Sequence, residues 1–166
     1  MVNVTFKGEP ITLLGTEIQI GNDAPNFTVL SNDLQEKTLD DFSGKIKLIS
    51  VVPSLDTGVC SEQTKRFNEE ANKLGNVEVL TISMDLPFAQ ARWCGMEGVS
   101  NLTVLSDHRD ADFGKKYGVL IKELRLLTRA IFVVDESDKV VYTEYVPEVG
   151  THPDYEKALE AVKEIS

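Results

Sequence analysis

The segment Ile46-Lys-Leu-Ile-Ser-Val-Val52 constrains this chain most. It is nearly all apolar, where a strand with one wet face would alternate. Such a strand needs cover on both faces, so other elements have to lie on either side of the sheet that contains it. The cover begins at once. After Pro53 and Gly58 the period changes, and Cys60, Thr64, Phe67, Ala71 and Leu74 follow spacings of 4, 3, 4 and 3. Glu62, Lys65, Arg66, Glu69 and Glu70 fill the gaps, which predicts an amphipathic helix stopped by Gly75.

The rest of the chain repeats this alternation. Residues 2–7 and 11–20, around Gly8-Glu9-Pro10, predict a β-hairpin, and a short strand follows at Phe27–Leu30. A strand over Val77–Ser83 precedes a short helix with Pro87 in its first turn and Gly95 just past its end. A strand is expected around Leu102–Leu105 and a short helix around Ala111–Tyr117. The strands Arg129–Val134 and Val140–Tyr145 flank the turn Asp135-Glu-Ser-Asp138, and a last helix runs from Pro153 to Ile165. The expectation is a three-layer α/β sandwich with a mixed central sheet, in one domain over residues 1–166.

Composition narrows the function. The 166 residues suffice for a real core, so two cysteines are not a secreted disulfide framework. Seventeen basic against 27 acidic residues give a net charge of −10, which disfavours nucleic acid and anionic membranes as partners. No stretch approaches the roughly 18 apolar residues of a membrane span. The N-terminus shows no basic segment followed by an apolar run, so no signal peptide is read and cytoplasm is the expected location.

Cys60 stands at the start of a helix directly after a buried strand. The unpaired N–H groups and partial positive charge there favour a thiolate, whereas an unperturbed thiol is only about 3% ionised at neutral pH. On the same seam as Phe67 and Ala71 it points inward, away from Glu62. By position alone it reads either as a nucleophile or as a buried structural cysteine. Thr57, three residues earlier, offers a hydroxyl to the sulfur or simply caps the helix.

Cys94 falls at the end of the short helix, on a face with Phe88 and Ala91. A helix C-terminus disfavours a thiolate, so Cys60 would attack and Cys94 resolve, with Gly95 and Gly98 letting the segment rearrange. Taken alone, Cys94 reads more readily as a core cysteine. The two cysteines are 34 positions apart with no CxxC, which excludes a thioredoxin-like reductase motif and a zinc knuckle. His108 and His152 read as surface or capping residues, which leaves a cysteine hydrolase without a base. Arg129, at a strand start, is either exposed or a fixed cation reaching the Cys60 pocket. Leu124, Leu126 and Leu127 read as core or interface.

Pro53-x-x-x-Thr57-x-x-Cys60 resembles the active-site motif of the peroxiredoxins. Pro53-Ser-Leu-Asp-Thr-Gly-Val-Cys60, Ala91-Arg-Trp-Cys-Gly-Met-Glu-Gly98 and Thr128-Arg-Ala-Ile-Phe-Val-Val-Asp135 are similar to the bacterial thiol peroxidase branch, as is the opening hairpin. The resemblance covers almost the whole chain, with Trp93 where the branch would have Phe. It implies a thioredoxin-like fold with an N-terminal hairpin extension over 1–20, usually in a homodimer. It also implies that Cys60 is the peroxidatic cysteine and Cys94 the resolving one in the same chain. Thr57 and Arg129 would hold the thiolate and the peroxide oxygens, and Pro53 would shield the pocket.

The expected chemistry is reduction of hydrogen peroxide and organic hydroperoxides without a cofactor, with thioredoxin as reductant. The N–H groups of Val59 and Cys60 join Thr57 and Arg129 in stabilising charge as the O–O bond breaks. Two rivals remain: a redox sensor of the same fold, and an acidic binding module with inert core cysteines.

Overall fold

Alternation of side chains builds the centre of the molecule. In the computed structural model, which describes residues 2–71, 73–97 and 103–166, the long apolar run forms a strand buried along its whole length. In chain order the elements are β1 (Val4–Phe6), β2 (Glu9–Ile11), β3 (Leu13–Leu14), β4 (Thr28–Leu30) and β5 (Glu36–Thr38). A 3₁₀ turn at Leu39–Phe42 leads to β6 (Ile46–Val51), α1 (Gly58–Ala71), β7 (Val77–Ser83) and α2 (Pro87–Glu97). Then come β8 (Thr103–Ser106), α3 (Asp112–Lys116), β9 (Leu120–Ile121), β10 (Ala130–Val134), β11 (Val140–Tyr145) and α4 (Tyr155–Ile165).

Seven strands form one sheet in the order β11-β10-β6-β7-β8-β4-β5. The β6–β7 and β7–β8 pairs are parallel and the others antiparallel, so the sheet is mixed as expected. Its two faces feed separate cores. Ile46, Leu48, Ile131 and Val133 point to the side covered by α1 and α4, where they meet Phe67, Ala158 and Val162. Ile49, Val51, Phe132 and Val134 point the other way, against Phe27, Phe113 and Tyr117. There Phe113 stacks on Tyr117 at 4.5 Å between centroids, and Phe27 and Phe132 meet the Tyr117 ring edge-on. Leu127 joins this core, Leu126 is partly buried beside β9, and Leu124 is exposed.

Three expectations change. The N-terminal hairpin is shorter and turns earlier: Phe6 pairs Glu9, so the two-residue turn is Lys7-Gly8, with φ of 54° and 81°. Both central residues at positive φ make a type I′ turn, the kind that matches strand twist, and only Gly8 adopts it freely. Pro10 lies within β2 opposite Thr5, and of residues 11–20 only Ile11 pairs in the hairpin while Leu13 and Leu14 pair with β9. In α2, Gly95 lies inside the helix rather than beyond it, which leaves Cys94 three residues short of the end at Glu97. The buried face of α2 is Pro87, Gln90 and Trp93, while Phe88 and Ala91 face solvent. Gly98 and Leu102 fall outside the described residues.

Lys47 is the one charged residue in the buried strand. Its side chain is fully buried, and its Nζ meets the Asp138 carboxylate in the β10–β11 turn. Removing one partner of such a pair leaves the other buried and uncompensated. Asp138→Asn keeps a residue that tolerates the φ of 63° there. It is expected to cost about 1–3 kcal/mol in urea unfolding, the range for a buried group left without its partner, and less than breaking a fully buried pair because Asp138 is partly exposed. Adding Lys47→Met should recover part of that loss.

Candidate active site

The loop between β6 and α1 is tied down before the helix starts. Asp85, just after β7, accepts hydrogen bonds from Ser54 Oγ (2.7 Å), Leu55 N (2.8 Å) and Ser83 Oγ (2.8 Å). Its own carbonyl accepts from Ser106 Oγ at 2.5 Å. One carboxylate thus fixes residues 54 and 55 against the C-terminal end of the parallel strands. Pro53 is buried at the root of the loop. The Thr57 carbonyl accepts from Ser61 N (3.0 Å), which closes the first turn of α1. The Thr57 hydroxyl donates to the Ser54 carbonyl (3.2 Å), so it serves the loop here and among the described residues makes no bond to sulfur.

Cys60 is the third residue of α1 and is completely buried, while Val59 is half-buried. Its carbonyl accepts from Thr64 Oγ1 at 2.8 Å. The sulfur lies in a small apolar cluster with Val52, Leu55, Trp93 and Val104, against which Cys94 packs from α2. Both cysteines are free thiols. Burial pushes the Cys94 thiol above its ordinary value, with a hydrogen bond from the Asn32 side chain opposing the shift. Cys94 is therefore protonated at neutral pH, for a reason other than the helix C-terminus expected to act on it.

Arg129 directly precedes β10 and is 2% exposed. Its Nε donates to the Val149 carbonyl (2.8 Å) and its Nη1 to Gln63 Oε1 (2.9 Å). Gln63 is fully buried one turn after Cys60, and its Nε2 donates to Ser50 Oγ at 2.7 Å. This chain of bonds sets the guanidinium beside α1 and leaves Nη2 without a protein partner among the described residues. Tyr155 of α4 lies close by: burial raises its phenol above the ordinary value, with the positive charges of Arg129 and Arg66 opposing the shift. Its hydroxyl pairs with His152 Nδ1 at 2.7 Å.

Sequence reasoning missed Gln63 and Asp85. Gln63 carried a signal, because position 60 + 3 shares the inward face of α1; Asp85 did not, because its partners come from a neighbouring strand end. Neither histidine bonds to Cys60 among the described residues: the His152 ring faces Tyr155 and Glu62, and the bond at His108 is from its backbone N–H to Ser106 Oγ. An open groove lined by Leu55, Thr57, Gly58, Trp93 and Met96 runs between the first turn of α1 and α2, and Leu55 and Trp93 belong both to its wall and to the Cys60 cluster.

The Redoxin family model matches residues 19–159. A thiol peroxidase of Oceanobacillus iheyensis is 66% identical over 159 residues, covering 96% of this chain and 97% of that protein. A thiol peroxidase of Bacillus subtilis is 62% identical over 163 residues, covering 98% of each. The crystal structure of a peroxiredoxin-like protein from Aquifex aeolicus superposes with a TM-score of 0.93 at 43% identity, covering 100% of this chain and 98% of that one. The chain therefore belongs to the Redoxin family. Within it, the chain stands on the thiol peroxidase branch of the peroxiredoxins, with their thioredoxin-type fold. No helix among the described residues is long and apolar enough to cross a membrane.

Proposed function

We propose that this peroxidase reduces hydrogen peroxide and organic hydroperoxides through a Cys60 sulfenic acid and an intrachain Cys60–Cys94 disulfide, and that thioredoxin recycles it. The observation that carries the reading is the meeting of the only two cysteines of the chain in one apolar cluster with Arg129 held nearby. The Cys60 thiolate attacks the terminal peroxide oxygen, the O–O bond breaks, and the departing alkoxide or hydroxide takes a proton. Sulfur is oxidised by two electrons and the peroxide reduced by two. Arg129 Nη2, the Val59 and Cys60 N–H groups, and the Thr57 hydroxyl once it turns from Ser54, stabilise the charge on the parting oxygens. Pro53, buried at the root of the loop, helps keep water from the sulfur.

Resolution follows. The Cys94 thiol loses its proton as its sulfur bonds to the Cys60 sulfur, and the sulfenic oxygen leaves as water. Because Cys60 is fully buried in α1 and Cys94 half-buried in α2, the ends of both helices have to loosen first. A dithiol donor then restores both thiols by exchange. A homodimer in the cytoplasm completes the reading, supported by the exposed apolar side chains Phe88 and Met96 on α2.

Cys94→Ser tests the resolving step. In this variant a single oxidation of Cys60 still proceeds, the sulfenic acid accumulates and is trapped by dimedone, and steady-state turnover with thioredoxin collapses. Full turnover in Cys94→Ser would remove the intrachain disulfide from the mechanism. Oxidation of the wild type without turnover, even with other dithiol donors, would favour the redox sensor.

A further inference from the structure

The N-terminal hairpin reaches the candidate active site through one short segment. Strand β1 runs beside residues 147–149: Thr5 N donates to the Pro147 carbonyl (2.8 Å), and Val149 N donates to the Thr5 carbonyl (2.9 Å). Between those bonds the Glu148 side chain turns onto the hairpin tip. Its Oε1 accepts from Gly8 N (2.9 Å) and Thr5 Oγ1 (3.0 Å), and its Oε2 accepts from Gly150 N (2.9 Å) and Lys7 N (3.3 Å). The positive φ of Lys7 and Gly8 makes their successive N–H groups converge, forming a concave anion seat for the carboxylate. Val149 is buried between, in an apolar cluster with Val4 of β1 and Ile121 of β9.

The carbonyl of this doubly held Val149 is the acceptor for Arg129 Nε. On the other side, the Arg129 carbonyl accepts from Val146 N at 3.1 Å. Residues 146–149 therefore sit between the backbone of Arg129 and the hairpin, and present one carbonyl to its side chain. Nε on Val149 and Nη1 on Gln63 are two points of attachment, which fix the guanidinium plane and the direction of Nη2.

We propose that Glu148 is a positioning residue, the clamp through which the N-terminal hairpin sets the orientation of Arg129 for the peroxide reaction at Cys60. The proposal rests on the reading above that Arg129 stabilises that reaction. It gives the hairpin, which lies outside the central sheet, a part in the chemistry. The four donors hold the Glu148 carboxyl down at about 2, so it stays charged at any pH where a thiolate peroxidase works. A donor aimed at developing charge has to be held within a fraction of an ångström, and its misplacement costs roughly 10- to 100-fold in rate.

The test is a double-mutant cycle on full-length protein, with the rate of Cys60 oxidation by hydrogen peroxide followed in a single turnover through Trp93 fluorescence. Glu148→Ala should slow oxidation roughly tenfold or more, and Arg129→Gln further still. The double variant should be no slower than Arg129→Gln alone, because a clamp has nothing to add once its arginine is gone. In Glu148→Ala, oxidation by peroxide should slow far more than alkylation of Cys60 by iodoacetamide, which develops no oxyanion, a split that a merely structural tie would not produce. Glu9→Ala, on the same hairpin but away from the clamp, should leave both rates unchanged. If Glu148→Ala does not fold, Glu148→Gln carries the same cycle, since its amide has to turn N–H groups towards Gly8 N or Gly150 N. Oxidation at the wild-type rate in the Glu148 variant, or a loss that adds in full to that of Arg129→Gln, overturns the clamp. Arg129→Gln at the wild-type rate would instead remove the reading of Arg129 on which the clamp stands.

Discussion

Cys60→Ser is expected to reduce peroxide consumption in the presence of a thioredoxin system to the uncatalysed background. The substitution changes one buried atom, sulfur to oxygen, at a position with no room for a larger change. A serine hydroxyl beside a helix N-terminus remains a hydroxyl, because its ionisation lies far above what the end of a helix can offset. It is also a poor nucleophile towards peroxide oxygen, and among the described residues no base bonds to this position: the buried polar side chains one turn along α1, Gln63 and Thr64, are engaged with Arg129, Ser50 and the Cys60 carbonyl. The fold should survive, since sulfur to oxygen is a nearly isosteric change and a hydroxyl near a helix start can bond back to a carbonyl three or four residues earlier. Loss of turnover with intact folding would establish the nucleophile. Retained turnover would move the chemistry to Cys94, whose thiol burial holds protonated.

Legibility in the sequence followed the physics of each element. The period switch at residues 53–60 made β6 and α1 plain, because a two-sided buried strand and an amphipathic helix depend on local order alone. Lys47 was visible only as an anomaly in that run. Its partner Asp138 comes from another hairpin, so the pair depends on the β6–β10 register. The inward face of α2 was misread for a related reason. Phe88 and Ala91 are apolar at helical spacing with Cys94, yet Gln90 takes the interior because its Nε2 bonds the Leu105 carbonyl (2.8 Å) and Ser83 Oγ (3.0 Å). Those acceptors exist only once β7 and β8 are paired. The I′ turn was displaced because Lys7-Gly8 lacks the Asn or Asp that normally announces it, and the seat for Glu148 compensates for what Lys7 gives up there. Similarly, Arg129 was readable as a cation at a strand start, but its two anchors, Val149 and Gln63, lie 20 and 66 residues away in the chain.

Those anchors make the second large effect specific. Arg129→Gln is expected to lower the rate of Cys60 oxidation by peroxide about 10²- to 10³-fold, the range seen when one preorganised donor to a developing oxyanion is removed. Breaking an O–O bond places negative charge on the departing oxygen, and the site is dry: Cys60 is fully buried and Arg129 nearly so. In such a place a fixed cation acts more strongly than the same charge in water. Arg129→Lys separates charge from geometry. Lysine keeps the charge but lacks the planar fork, so it cannot bond the Val149 carbonyl and Gln63 Oε1 together and still aim a third donor. It should therefore recover only a small part of the loss. The measurement is the second-order rate constant from stopped-flow Trp93 fluorescence, with circular dichroism to confirm folding. If lysine restored the full rate, net positive charge would suffice and the hydrogen-bonded frame from Ser50 through Gln63 would be structural. If it did not, orientation is what the frame supplies, and the buried polar residues of α1 are part of the chemistry rather than exceptions in the core.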